Sequence, residues 1–237
     1  PRASRGRVVI TRRAPKEEAV AGQSAGVLVS LEGCDGCGKT TQAQLLCARL
    51  VAAGYPVGPH GAPGTVIREP GGTACGEAIR ELLLHTPVHP EPWTEALLYA
   101  AARAELVADV LKPELARGRV LVLDRYVDSS LAYQGWARGL GIDEVFAVNH
   151  VGMQGVLPEI TVVLRVDPAV CAARLTKTPD RIEAQGVEFQ HRVSAGFAMV
   201  AEKFPQRVRE VDGGGGVETV AEAVAALVLP VIEMRAK

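Results

Sequence analysis

The chain has 237 residues, 48% of them hydrophobic, with 26 Lys and Arg against 27 Asp and Glu and a formal charge of −1. That length suits one domain with a substantial core, while the balanced charge and an aromatic content of 4% argue against a nucleic-acid-binding surface. No apolar run reaches the length of a membrane span, and Cys34, Cys37, Cys47, Cys75 and Cys171 form no disulfide framework, which fits a reducing compartment such as the cytoplasm.

Residues 1–25 read as a basic extension, separate from a domain at 26–237. Arg2, Arg5, Arg7, Arg12 and Arg13 all precede the first acidic residue, Glu17. A flexible, solvated tail is expected there. A targeting remnant that would place the chain in an organelle matrix, or a linker from a longer polypeptide, is the alternative for a chain that opens on Pro1. From residue 26 onward, apolar runs alternate with helical patterns. Strands are predicted at Val27–Leu31, Thr65–Ile67, Val120–Leu123, Ile160–Val166 and Val208–Val211, mostly continuous runs as in strands covered on both faces. Helices are predicted at Thr40–Ala53, Gly76–Leu84, Pro92–Ala116, Asp143–Met153, Pro168–Arg174, Val187–Phe204 and Val217–Arg235. This alternation predicts an α/β fold, a parallel five-stranded sheet flanked by helices, with ligands at the carboxyl ends of the strands.

The most informative segment is Gly33-Cys34-Asp35-Gly36-Cys37-Gly38-Lys39-Thr40, followed by Thr41, between the first strand and the first helix. It is a phosphate-binding loop in the required strand–loop–helix context. Glycines let backbone N–H groups converge on anionic oxygens, and the helix that follows points its positive end at the same place. Lys39 reaches the outer phosphates of a nucleoside triphosphate, and the Thr40 hydroxyl suits Mg²⁺. Arg68-Glu69-Pro70-Gly71-Gly72-Thr73 follows the second strand and suits a second anion. Tyr99 and Arg103, one turn apart, present a ring and a guanidinium on one helix face, either to a nucleobase or as a plain surface pair. Asp124-Arg125-Tyr126 ends the third strand, where P-loop enzymes place an acid for Mg²⁺ or its water shell. Thr176–Gly186, with Lys177, Asp180, Arg181 and Glu183, reads as a short lid or as a solvated charged loop.

Taken together the chain resembles the thymidylate kinases, P-loop nucleoside monophosphate kinases. The resemblance rests on Glu32 to Gln42 around the phosphate loop, Arg68 to Thr73, Glu95 to Tyr99 with Arg103, Asp124-Arg125-Tyr126, Ser129-Ser130-Leu131-Ala132-Tyr133-Gln134-Gly135, Asp180-Arg181-Ile182-Glu183 and Val211-Asp212, in the family's order. It implies phosphorylation of dTMP to dTDP by ATP with Mg²⁺ at Thr40 and Asp124, in a homodimer. It also implies that Arg68, Arg80 and Arg125 surround the dTMP phosphate, and that Tyr99 stacks on thymine where the family usually has Phe. Arg103 would bond the thymine carbonyl, Ser130 and Gln134 would read the rest of the edge, and Tyr133 would lie against the deoxyribose. Asp35 would sit between the two substrates, and Glu69 would support the site through water or metal. The nucleophilic phosphate is anionic at neutral pH, so no general base is needed. Lys39, Asp35, Arg125 and the lid cations Arg181 and Lys177 are the expected catalytic groups. Rival readings are a kinase for another monophosphate and a non-catalytic nucleotide switch.

Two features depart from the family. Gly36 and Cys37 stand where one subgroup carries a phosphate-loop arginine, which leaves Arg174, Lys177 and Arg181 as the nearby cations. The Cys34-x-x-Cys37 pair lacks a second Cys/His pair for zinc and reads as loop filler, with oxidative inhibition as the alternative.

Overall fold

The computed structural model of the chain describes residues 26–175 and 180–235. The basic segment 1–25 and Lys177 lie outside the described residues. Five strands, β1 (Val27–Glu32), β2 (Ile67–Arg68), β3 (Val120–Asp124), β4 (Ile160–Arg165) and β5 (Val208–Asp212), pair in the order β2-β3-β1-β4-β5, all parallel. Every residue of β1 and β3 is buried, as their unbroken apolar runs require of central strands.

Helix α1 (Lys39–Ala52) packs against β1, β3 and α9 (Val217–Arg235). Around the segment Leu131–Ala137 gather α3 (Pro92–Leu106), α6 (Ile142–Met153) and α8 (Val187–Lys203). Between them run α2 (Ala74–Leu84), α4 (Lys112–Ala116), α5 (Val127–Ser130) and α7 (Pro168–Arg174).

Two elements differ from expectation, and a third lies where no element is predicted. The second strand is two residues long and shifted to Ile67–Arg68. The single helix expected over Pro92–Ala116 contains a π-helical stretch, Val107–Leu111, just before Pro113. Pro113 has no N–H for the i−4 carbonyl and its ring crowds that carbonyl, so the ladder loosens there. The Ser-Ser-Leu-Ala-Tyr-Gln-Gly segment forms α5 and then a second π-helical stretch, Leu131–Ala137. Gly135 is there for packing: a Cβ would lie 3.1 Å from Ile142 Cα and 3.2 Å from the Gly141 carbonyl.

The chain reverses its strand order on either side of β1, which pairs with β3 and β4. A cleft therefore opens at the carboxyl ends of the strands. It is about 1340 Å³ in volume and is lined from the phosphate loop to Tyr99 and Gln134.

Candidate active site

The phosphate loop connects β1 to α1 through three glycines at φ +135° (Gly33), +85° (Gly36) and +99° (Gly38), a region that favours residues without Cβ. A Cβ on Gly36 would also lie 2.3 Å from the Cys171 carbonyl. Lys39 is buried, with Nζ donating to the Cys34 carbonyl at 2.7 Å, and it lines the cleft with Asp35, Gly36, Gly38, Thr40 and Thr41. Thr40 Oγ1 donates to Asp124 Oδ2 at 2.5 Å, so the helix start and the β3 end bring two oxygens together. Among the described residues no group of three or more His, Cys, Asp or Glu could hold a metal alone. A two-oxygen pair suits Mg²⁺, whose other ligands are phosphate oxygens and water. Cys34 and Cys37 are buried free thiols, and burial pushes Cys34 up to about 12. That leaves almost no thiolate for oxidation and fits the filler reading.

Arg125 follows β3 at φ 75° and bridges the two sides of the cleft. Its NH1 donates to the Gly33 carbonyl at 3.0 Å and to Ser129 Oγ at 2.8 Å. Its NH2 donates to Asp35 Oδ1 at 2.6 Å and to the Tyr133 hydroxyl at 3.1 Å. Burial alone would raise the Asp35 carboxyl, yet Arg125 and Lys39 hold it well below the usual carboxylate range. Tyr133 also donates to Asp35 Oδ2 at 3.0 Å, and its ring is fixed edge-on by Phe189 and Phe197. Behind Arg125, the fully buried Glu32 accepts from the Tyr126 N–H at 2.6 Å, Ser129 Oγ at 2.6 Å and Ser30 Oγ at 3.0 Å. Burial, with Asp128 nearby, pushes Glu32 up to about 7.

At the far end Arg103 is only 2% exposed. Its Nε forms an ion pair with Glu69 Oε1 at 2.7 Å, NH1 bonds Asn149 Oδ1, and NH2 donates to the Tyr126 carbonyl and Ser130 Oγ. Burial raises the Glu69 carboxyl, opposed by the Arg103 charge. Glu69 Oε2 is buried without a hydrogen-bond partner among the described residues, a place for water. Tyr99 lines the cleft one turn from Arg103, and Gln134 and Ser130 line it opposite. Between these ends sit Arg68, paired with Glu77 at 3.2 Å, and Arg80, which donates to the Pro70 carbonyl at 3.0 Å. Burial and the neighbouring Arg68 charge lower Arg80, a cost that a bound anion would relieve.

Most of the expected residues thus converge on one cleft. Arg181 does not. Its Nε donates to the Leu83 carbonyl at 2.6 Å and its NH2 to Glu95 Oε2 at 2.6 Å, so the guanidinium ties residue 181 to α2 and α3 instead of facing the phosphate loop. Arg174 lines the cleft in its place. Sequence reasoning assigned no role to Glu32, Glu95, Arg138 or Asn149. Glu95 carried a signal, since it stands one turn before Tyr99. Asn149 carried none, because only the packing of α3 on α6 brings it to Arg103.

A phosphate loop at the carboxyl end of a parallel five-stranded sheet, sharing one cleft with the Thr40–Asp124 pair and with Arg68, Arg80 and Arg125, defines a P-loop enzyme. The thymidylate kinase family model matches residues 31–224. Similar curated proteins, each named thymidylate kinase, come from Caldanaerobacter subterraneus (42% identical over 189 residues, 79% of this chain and 88% of the relative) and a Synechococcus species (44% over 205 residues, 86% and 96%). Another comes from Pelotomaculum thermopropionicum (45% over 192 residues, 79% and 85%). The chain belongs to the thymidylate kinase family.

Proposed function

We propose that the chain transfers the γ-phosphoryl group of ATP to the phosphate of dTMP, giving dTDP and ADP. The observation that carries this reading is one continuous cleft with the phosphate loop at one end and Tyr99, Arg103 and Gln134 at the other. The Gly33–Thr41 loop and Lys39 would hold the ATP phosphates, and Thr40 and Asp124 would hold Mg²⁺. When bound, the ion adds positive charge beside the transferring phosphates. Arg68, Arg80 and Arg125 hold the dTMP phosphate, Tyr99 stacks on the base, and Arg103, Ser130 and Gln134 read its edge. Tyr133 and Asp35 position the sugar. The acceptor oxygen is already anionic, so catalysis is alignment and charge neutralisation. Arg125 would serve both, since it contacts Gly33 and Asp35 of the phosphate loop and Ser129 and Tyr133 of the segment after β3.

The free thiols suit a reducing compartment, and we place the enzyme in the cytoplasm. Among the described residues no helix is long and apolar enough to cross a membrane. Trp93 and Leu97 on α3 and Val151 on α6 are exposed, and a homodimer through these two packed helices would cover them. Sedimentation of wild type and Leu97→Arg tests that assembly, and a monomeric wild type refutes it.

ADP formation from Mg·ATP is the direct test, with dTMP, dUMP, UMP, CMP, AMP and GMP offered separately. dTMP should dominate. Preference for another monophosphate would overturn the base assignment, and transfer to none would overturn the kinase reading.

A further inference from the structure

We propose that Glu95 sets which way the Gln134 amide faces and so decides which pyrimidine the cleft accepts, an inference that rests on reading this end of the cleft as the nucleobase site. Glu95 is 1% exposed. Its Oε1 accepts from Gln134 Nε2 at 2.9 Å and Arg138 Nε at 3.2 Å. Its Oε2 accepts from Arg138 NH2 at 3.2 Å and Arg181 NH2 at 2.6 Å. Arg138 is itself held over the Phe189 ring, 4.6 Å from the centroid. A carboxylate only accepts, so Gln134 has to turn its NH2 toward Glu95. The amide oxygen, which takes no hydrogen bond from the described residues, is left for a ligand in the cleft that Gln134 lines.

Arg103 supplies the complementary group. A guanidinium has five N–H donors. Glu69, Asn149, Tyr126 and Ser130 engage four, leaving one on NH1. Arg103 and Gln134 therefore offer the base end a donor beside an acceptor. Thymine and uracil present the matching carbonyl and N3–H. Cytosine presents an amine and a bare N3, the reverse pattern, and would leave buried polar groups unpaired on both sides. Glu95 does not touch the base; it is a positioning residue.

Glu95→Gln tests this. Its new amide nitrogen fits best in place of Oε1, where it loses one 3.2 Å contact to Arg138, because in place of Oε2 it would face two guanidinium groups. There it donates to Gln134, whose amide must turn and show NH2 to the cleft. Calorimetric Kd values for dTMP and dCMP, without ATP, are compared in wild type and variant. The preference for dTMP should fall about tenfold or more, the worth of one buried hydrogen bond. The double variant E95Q/Q134E returns an acceptor to the cleft and should regain it. Simple loosening would weaken both nucleotides alike and would not be rescued. An unchanged preference in E95Q, or a lost one that the double variant does not restore, overturns the proposal. N3-methylated dTMP on the wild type checks the acceptor that the proposal requires, even where a variant fails to fold. It should bind about tenfold or more weakly than dTMP, and equal binding overturns the proposal. These readouts need no phosphoryl transfer, so failure of the kinase reading would be seen separately.

Discussion

Glu32→Gln removes a buried charge while keeping the shape of the site. Glu32 is fully buried, and its carboxyl is pushed from 4.5 up to about 7 by burial, with Asp128 nearby adding to the rise. In the folded state it holds its proton to a higher pH than in the unfolded chain. Between about pH 4.5 and 7 the fold binds the extra proton, so stability falls as pH rises through that window. Above it the ionised carboxylate costs the fold about 3 kcal/mol, at about 1.4 kcal/mol per pH unit. Glutamine cannot ionise. Its carbonyl can keep the Tyr126 N–H and Ser30 hydroxyl, and its NH2 can donate to Ser129 Oγ, which already accepts from Arg125 and has a second lone pair. Urea denaturation at pH 5 and pH 8 measures the effect. The variant should match wild type within about 1 kcal/mol at pH 5 and exceed it by about 2–3 kcal/mol at pH 8. A variant equally destabilised at both pH values would show that the three donated hydrogen bonds outweigh burial, and the reasoning would fail.

Three further outcomes follow from the site. Arg181→Ala should cost about 1–3 kcal/mol of stability by leaving Glu95 short of a charged partner, whereas Arg174→Ala should leave stability alone and lower kcat about tenfold; melting curves and steady-state rates separate the two, and the reverse pattern would restore Arg181 as the phosphate-facing cation. Asp124→Asn should lower kcat about a hundredfold with dTMP Kd unchanged, read by calorimetry and ADP release, and an equal loss in dTMP affinity would contradict its placement on the ATP side. Arg125→Lys replaces a fork that reaches four partners with a point charge. KM for ATP and for dTMP should rise together in an initial-rate matrix, and a change confined to dTMP would refute the bridging role.

The phosphate loop was legible because its glycines report backbone geometry directly. Gly33, Gly36 and Gly38 all take positive φ, and only the local order of strand, loop and helix was needed to read them. The sheet was legible for a similar reason, since continuous apolar runs mark strands covered on both faces. Arg181 shows where that reading stops. Its charge and its place in a polar segment suggested a phosphate contact, but the residue that engages it, Glu95, stands 86 positions earlier in the chain. Arg103 lines the cleft, yet its burial and its tie to Asn149 depend on how α6 packs on α3. The π-helical stretches fell between the two periods that sequence patterns distinguish, although Pro113 was a visible cause of the first.

Arg125 explains why the two halves of the cleft behave as one unit. It stands directly after Asp124, which bonds Thr40, so backbone connectivity alone links that pair to the segment after β3. Its guanidinium then closes a second link, through Gly33 and Asp35 of the phosphate loop to Ser129 and Tyr133 of the following segment. Glu32 fixes the back of that bridge by accepting from both Tyr126 and Ser129. Gly33 is buried directly after β1 and Tyr133 is packed into the core, while the partly exposed Asp35 is held in the phosphate loop by Arg125 and Tyr133. In-line transfer between two phosphates demands that their separation be set to within fractions of an ångström. On the proposed reading, a side chain that touches the loops on both sides would set that separation more tightly than two independent sites could, a role that offsets the cost of an arginine at φ 75° where a glycine is easier to accommodate.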